Sequence, residues 1–168
     1  MSLAESFIGC DTVVLVDCSG SMEAHDSRGG QRRYDVACAE LAQLQKSNSG
    51  KIGVIAFSDS AIFVPGGVPP MLGSGTNLAG ALRFARVADV AGIRVVVISD
   101  GQPDDEAAAL AEAAQYQARI DCVYVGPEAA PQGRTFLERL ASAHGGKQVT
   151  AARAQELAAA VERLMLSA

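Results

Sequence analysis

Short, strongly apolar runs alternate with amphipathic segments along the 168 residues of this chain. The runs at 13–16, 52–57 and 94–99 are rich in β-branched residues, as expected of strands that are buried on both faces. The segment 32–46 carries apolar residues at the spacing of an amphipathic helix. This alternation predicts a doubly wound α/β fold, in which helices cover both faces of a mostly parallel sheet.

The predicted sheet has six strands, at 13–16, 52–57, 62–64, 94–99, 122–125 and 148–150. Only the tight turn "SDS" separates the second strand from the third, so these two form a hairpin and the third becomes an antiparallel edge strand. Helices are predicted at 32–46, from about 78, at 105–118, at 134–143 and at 154–165. No linker interrupts the pattern, so we expect a single domain at 10–168 behind an N-terminal extension or cloning scar at 1–9.

Charge and composition argue against several classes of protein. The formal net charge is -5 and no cluster of Lys and Arg stands out, which argues against a nucleic-acid surface. No apolar run reaches the roughly 18 residues of a membrane-spanning helix, so no membrane insertion is expected. The chain starts without a signal-peptide pattern, which favours a cytoplasmic protein, although a signal peptide removed beforehand would leave no trace. Cys10, Cys18, Cys38 and Cys122 lack CxxC spacing and are expected to be free thiols.

Polar side chains follow two of the strongest predicted strands and precede one helix. Asp17, Ser19 and Ser21 follow the first strand, Thr76 precedes the helix from about 78, and Asp100 follows the fourth strand. The carboxyl ends of parallel strands meet at one edge of a sheet, so these residues are expected to lie together. Two carboxylates and three hydroxyls are hard oxygen ligands of the kind that suit Mg²⁺ or Mn²⁺. A cation would also offset the repulsion between the two carboxylates.

Each of these features also has an ordinary structural explanation. Ser19 and Ser21 also suit a role in which their side chains merely cap the turn, and Asp100 with Gly101 forms a common turn dipeptide. Thr76 suits the N-cap of the following helix. The coincidence of all of them at the ends of one sheet favours the metal site.

Several segments together resemble the von Willebrand factor A (vWA) domain family. "DCSGSM" resembles the D-x-S-x-S motif of that family, "GSGTNLAGAL" its threonine loop and "ISDGQPDD" its late aspartate loop. "IGVIAFSDSA" is similar to the second and third strands of the family, and "LERLASAHGG" to its carboxyl-terminal part. The resemblance covers about residues 10–166, which is nearly the whole chain.

The resemblance implies a metal-ion-dependent adhesion site that binds Mg²⁺ or Mn²⁺. It implies that Ser19 and Ser21 ligate the metal directly, Thr76 directly or through water, and Asp17 and Asp100 mostly through waters and hydrogen bonds. It also implies a non-enzymatic protein-interaction module. The resemblance implies that the cation has few anionic ligands, so that it keeps positive charge and accepts a Glu or Asp of a partner protein. The middle residue of the motif, Cys18, is expected to pack against the flank of the sheet.

The residues that contact a partner are less well defined than the metal ligands. His25, Asp26 and Arg28 follow the metal motif on the same face, and Gln102 follows Asp100, but a solvated loop explains them equally well. Small intracellular bacterial members of the family often work alongside AAA-type ATPases or in multi-protein assemblies. The alanine- and arginine-rich composition favours such a bacterial setting, so an AAA-type ATPase or an assembly is the expected partner.

A Mg²⁺-dependent phosphatase or hydrolase of another doubly wound fold is the alternative. Asp17 follows a strand, as the phosphorylated aspartate of such enzymes does. Haloacid-dehalogenase-like enzymes carry a second acid two residues further on, where this chain has Ser19. A serine hydrolase fits less well, because the serine motif after the first strand is not a G-x-S-x-G elbow. His25 and His144 also have no clear role in such an enzyme.

Overall fold

A computed structural model describes most of the chain. The described residues are 7, 9–26, 30–47, 52–65, 67–90, 92–127, 131–143, 145–146 and 148–150. The predicted last helix at 154–165, most of the N-terminal extension at 1–9, Arg28 and His144 lie outside them.

The sheet has six strands in the order β3-β2-β1-β4-β5-β6, and this confirms the predicted doubly wound architecture. All neighbouring strands pair in parallel except β2 and β3, which pair antiparallel at one edge as predicted. The strands are β1 (Thr12–Asp17), β2 (Ile52–Phe57), β3 (Ala61–Phe63), β4 (Arg94–Ser99), β5 (Arg119–Tyr124) and β6 (Gln148–Thr150).

Four helices and two short 3-10 turns connect the described strands. The helices are α1 (Arg33–Ser47), α2 (Leu78–Ala85), α3 (Glu106–Ala113) and α4 (Pro131–Ser142), and the 3-10 turns are Gly20–Glu23 and Arg86–Ala88. Among the described helices, none combines the length and the apolar character needed to cross a membrane.

Three boundaries differ from the sequence prediction by three residues or more, each for an identifiable reason. α3 ends at Ala113 rather than near 118, because the carboxylate of Asp89 accepts the amides of Gln117 and Ala118 at 2.8 Å and draws the chain out of the helix. β5 begins at Arg119, three residues before the predicted start. The charge of Arg119 interrupts the apolar pattern from which the strand was predicted. α4 begins with Pro131, a residue well suited to the first helical position.

Two hydrophobic layers cover the faces of the sheet. Alternate residues of the strands point to one face, where α2, α3 and α4 pack, and to the other face, where α1 packs. All of β1 is buried, as its continuous apolar sequence predicts. Cys18 is buried in the α1 layer beside the metal motif, which confirms its expected packing role. The four cysteines are unpaired in this structure.

The strand order fixes where a functional site can lie. β1 and β4 are neighbours at the centre of the sheet. After β1 the chain continues to β2 on one side, and after β4 it continues to β5 on the other side. A crevice forms at the carboxyl ends of strands where such a reversal occurs. Asp17 ends β1 and Asp100 directly follows β4, so both acids lie at this crevice.

A contact between two glycines holds the loop after β4 against α4. Gly101 has a positive φ of 74°, and a Cβ atom at this position would overlap the carbonyl group of Gly133. A Cβ atom at Gly133 would in turn overlap the carbonyl oxygen of Asp100. The backbone around Asp100 can approach α4 this closely because neither glycine carries a side chain.

We predict that Gly133→Ala lowers the free energy of unfolding by about 1–3 kcal/mol, because overpacking outweighs the better helix propensity of alanine. Denaturant unfolding measures this change. Gln132→Ala, at an exposed position of the same helix, is the matched control and should stay within about 0.5 kcal/mol of the parent. Equal stabilities of the two variants would contradict the described contact.

Candidate functional site

The carboxylate of Asp17 is fully buried at the end of β1 and accepts three hydrogen bonds. Its Oδ1 atom accepts the backbone amide of Ser19 at 3.0 Å and the hydroxyl of Ser19 at 2.5 Å. Its Oδ2 atom accepts the hydroxyl of Ser99, the last residue of β4, at 2.7 Å. Asp17 therefore connects the ends of the two central strands.

The second carboxylate holds the second serine of the motif in the same way. The hydroxyl of Ser21 donates to Oδ2 of Asp100 in a short hydrogen bond. The two serine hydroxyl oxygens lie 3.2 Å apart. Each hydroxyl has one hydrogen, and each makes its shorter contact with a carboxylate, so lone pairs remain where the two oxygens face each other.

This donor set fits a small divalent cation. Neighbouring ligands of an octahedral Mg²⁺ with bonds of about 2.1 Å are about 3.0 Å apart, which is close to the separation of the two serine oxygens. Within the described ranges, no cluster of three or more His, Cys, Asp or Glu side chains could hold a metal ion. Hydroxyl groups would therefore supply part of any ligand set at this edge.

Thr76 reaches the site through its loop. The amide of Gly20 donates to the carbonyl of Ser74 at 2.9 Å, which places the threonine loop beside the serine motif. The carboxylate of Asp104 accepts the amide of Thr76 with both oxygens at 3.1 Å, and the amide of Asp104 donates to the carbonyl of Thr76 at 2.9 Å. The buried Thr76 is thus clamped to the loop that follows Asp100.

The ordinary explanations of two of these residues do not hold. The N-cap of α2 is Asn77, whose side chain accepts the amide of Gly80 at 2.9 Å, so Thr76 is not the helix cap. Ser19 precedes the 3-10 turn at Gly20–Glu23, but its side chain makes no capping hydrogen bond. Its hydroxyl is directed to Asp17 instead.

Arg33, at the start of α1, contributes a positive charge that the sequence did not reveal. Its NH1 atom lies 3.0 Å from Oδ2 of Asp100. Its Nε and NH2 atoms donate to the two carboxylate oxygens of Asp26 at 2.7 and 2.5 Å. The guanidinium therefore bridges the candidate metal site and the loop before α1.

Comparison with solved structures identifies the fold, whereas neither protein-family models nor curated protein sequences match the chain. An aerotolerance-related membrane protein from Bacteroides fragilis matches with a TM-score of 0.71 at 17% identity, over 94% of this chain and 98% of that one. A von Willebrand factor type A structure from Catenulispora acidiphila matches with a TM-score of 0.68 at 20% identity, over 90% of this chain and 41% of that one. The chain has the von Willebrand factor A fold. Manganese-loaded TRAP protein from Plasmodium vivax also matches, with a TM-score of 0.62 at 15% identity, over 93% of this chain and 74% of that one.

The pairing of β1 with β4 explains why four of the predicted ligands meet, and the structure adds residues to them. Asp17, Ser19, Ser21 and Asp100 form one hydrogen-bonded group, and Thr76 joins it through its loop. Three residues of the site were missed by sequence reasoning: Ser99, Asp104 and Arg33. Ser99 ends the predicted fourth strand directly before Asp100, and "DGQPDD" contained Asp104, but nothing in "GGQRR" distinguished Arg33 from a surface residue.

Three of the candidate partner contacts, His25, Asp26 and Gln102, lie among the described residues. His25 and Gln102 are exposed. Asp26 is exposed too, but its carboxylate is engaged by Arg33, and this hydrogen bonding lowers the pKa of Asp26. Asp26 is therefore better described as the holder of Arg33 than as a free contact residue.

Burial raises the pKa of Asp17 to about 6, and the neighbouring charge of Asp100 adds to the increase. Hydrogen bonds from Ser19 and Ser99 oppose the increase, because they stabilise the carboxylate. In the absence of a metal, the negative charge at this position is therefore unfavourable.

We predict a characteristic pH dependence for the metal-free protein. The folded-state pKa of Asp17 lies above its ordinary value of 3.8, so the folded state binds the proton more tightly than the unfolded state. The contribution of Asp17 to the free energy of unfolding should fall by roughly 2–3 kcal/mol as the pH rises from about 4 to about 6.

Denaturant unfolding in the presence of EDTA, at a series of pH values, isolates this contribution when the protein is compared with Asp17→Asn. Asparagine has the same shape and does not titrate, so the variant should lack the loss of stability in this window. Parallel stability curves for the two proteins between pH 4 and pH 6 would contradict the prediction.

Proposed function

We propose that this chain is a non-enzymatic protein-interaction module that binds Mg²⁺ or Mn²⁺ at its serine motif and an acidic residue of a partner through that cation. The observation that carries this proposal is the pair of hydroxyls of Ser19 and Ser21. Both hydroxyl hydrogens are directed to buried carboxylates, and the lone pairs are left beside each other. A cation is the group that this arrangement suits best.

Ser19 and Ser21 would hold the cation directly, with Thr76 completing the set from the neighbouring loop. Asp17 and Asp100 would stand behind the hydroxyls and orient them by hydrogen bonds, as such outer carboxylates do in metal sites. A bound Mg²⁺ or Mn²⁺ supplies a positive charge that neutral hydroxyl ligands do not cancel. The acidic residue of the partner would then add a hard oxygen ligand and the missing negative charge.

The structural comparisons support this proposal at the level of the fold. The TRAP protein from Plasmodium vivax, which shares the fold, was crystallised loaded with manganese. The relation to it is at 15% identity, so the support is that a protein of this fold binds manganese, and it does not extend to the position of the site or to individual ligands.

The geometry of Asp17 disfavours the alternative phosphatase. A nucleophilic aspartate must present a free oxygen to the phosphorus atom of its substrate. Asp17 is fully buried, and both of its oxygens accept hydrogen bonds from serines of the protein. We therefore propose no enzymatic activity. The partner class that we infer from the resemblance is an AAA-type ATPase or a multi-protein assembly in the cytoplasm.

We predict one Mn²⁺ site per chain, measured by calorimetric titration of protein freed of metal with EDTA and then dialysed. Asp17→Ala should abolish the binding, because the hydroxyl of Ser19 loses its acceptor and the site loses a negative charge. Asp35→Ala is the matched control, since Asp35 is an exposed aspartate that pairs with Arg32 away from the site. Unchanged binding in Asp17→Ala would refute the assignment.

We also predict that partner binding depends on the metal. Proteins captured from the native cell with Mg²⁺ and released by EDTA would identify the partner, and its affinity could then be measured with purified components. Replacement of the acidic residue of the partner by its amide, or Thr76→Ala in this chain, should cost about 2–5 kcal/mol, which is a 30-fold or greater loss of affinity. Affinity that survives both EDTA and Asp100→Ala would place the interface on another face.

A further inference from the structure

One oxygen atom of Asp100 accepts hydrogen bonds from two donors of different kinds. Its Oδ2 atom accepts the hydroxyl of Ser21 and also the NH1 group of Arg33, the latter at 3.0 Å. The side chain of Asp100 is 1% exposed and that of Arg33 is 11% exposed. A unit positive charge is thus held, largely away from water, against the carboxylate that orients one of the proposed metal ligands.

Asp26 gives this arginine a second attachment. It binds the Nε and NH2 atoms of Arg33 through both carboxylate oxygens, and only NH1 is left for Asp100. The side chain of Asp26 is 39% exposed, so it lies nearer to solvent than Asp100 does. Arg33 can therefore release Asp100 while it remains bound to Asp26, which makes its contact with the metal site reversible.

We propose that Arg33 is a tethered cation that competes with the divalent metal for the charge of Asp100 and so lowers the metal affinity of the site. The inference rests on the proposed metal site. A bound metal ion and the guanidinium of Arg33 repel each other, because both are positively charged. Arginine stays protonated at every pH at which the protein is folded, so Arg33 cannot relieve this repulsion by losing a proton. The divalent ion must either displace NH1 from Asp100 or bind beside a positive charge, and both lower its affinity.

This competition couples the metal to the partner. A carboxylate that enters the site adds negative charge, and this offsets the repulsion between the metal and Arg33. Metal affinity should therefore rise when the partner is bound, and by linkage the affinity for the partner rises by the same factor when the metal is bound. Arg33 would thus make the free site a weak metal binder and the complex a tight one.

Titration with Mn²⁺ alone tests the competition, with free Mn²⁺ followed by its electron paramagnetic resonance signal. We expect Arg33→Gln to bind Mn²⁺ about tenfold more tightly than the parent, which corresponds to about 1.4 kcal/mol. Arg32→Gln is the matched control. It removes the same charge from the neighbouring residue, whose guanidinium binds Asp35 at 2.8 Å instead of the site, so its affinity should stay within about twofold of the parent.

A second variant separates competition from a structural role. Asp26→Asn removes the attachment that holds Arg33 near the surface, so Arg33 should bind Asp100 more strongly. When this substitution is made in the parent background, Mn²⁺ binding should therefore weaken. In the Arg33→Gln background the same substitution should have a much smaller effect, because no guanidinium remains to be redistributed. A purely structural role of Arg33 would instead weaken binding in both single variants.

Each outcome decides between the two proposals. If the parent binds Mn²⁺ and Arg33→Gln binds it equally or more weakly, the competition is refuted and the metal site stands. If Arg33→Gln binds Mn²⁺ and the parent does not, Arg33 suppresses the site, which supports the competition. If neither binds, both proposals fail. Should Arg33→Gln not fold, tighter or unchanged binding in Asp26→Asn would refute the competition.

Discussion

The two carboxylates of Asp17 and Asp100 lie buried at the ends of adjacent parallel strands, and the rest of the site is arranged around their mutual repulsion. Burial and the charge of Asp100 together raise the pKa of Asp17, so two ionised groups here are costly without compensation. Three serine hydroxyls donate to them, and Arg33 adds a positive charge at Asp100. These donors reduce the cost, and we propose that a divalent cation offsets what remains.

The fold creates this constraint before any ligand is considered. The pairing of β1 with β4 brings the ends of the two strands together, and the buried β-branched residues of both strands leave little freedom to separate them. The loops then add the details. Gly101 and Gly133 allow the backbone after β4 to approach α4 closely, and Asp104 fastens the threonine loop to the same loop. The stability of the sheet therefore maintains a site that is unfavourable by itself.

Much of this arrangement could be predicted from the sequence, because it depends on patterns that are local in the chain. Runs of β-branched residues give the central strands, and a polar residue directly after such a run must lie at the carboxyl edge of the sheet. The sequence therefore predicted the six-stranded sheet, its antiparallel edge, and the positions of Asp17 and Asp100. Ser19 and Ser21 were expected at the same edge because they follow the first strand.

Contacts between distant segments could not be predicted in this way. Arg33 reaches Asp100 across 67 residues, and the sequence around it is typical of any solvated helix start. The end of α3 depends on Asp89, 28 residues before the amide that it accepts, so the alanine-rich pattern suggested a longer helix than the one that forms. Both errors arise where tertiary contacts override local preference.

The position of the metal is the central claim, and anomalous diffraction tests it most directly. Crystals grown in saturating Mn²⁺ would be measured at a wavelength where manganese scatters anomalously. Our account predicts the strongest anomalous peak within about 2.2 Å of the hydroxyl oxygens of both Ser19 and Ser21. A map without a peak there in crystals of both the parent and Arg33→Gln, with the hydroxyls of Ser19 and Ser21 still donating to Asp17 and Asp100, would contradict it.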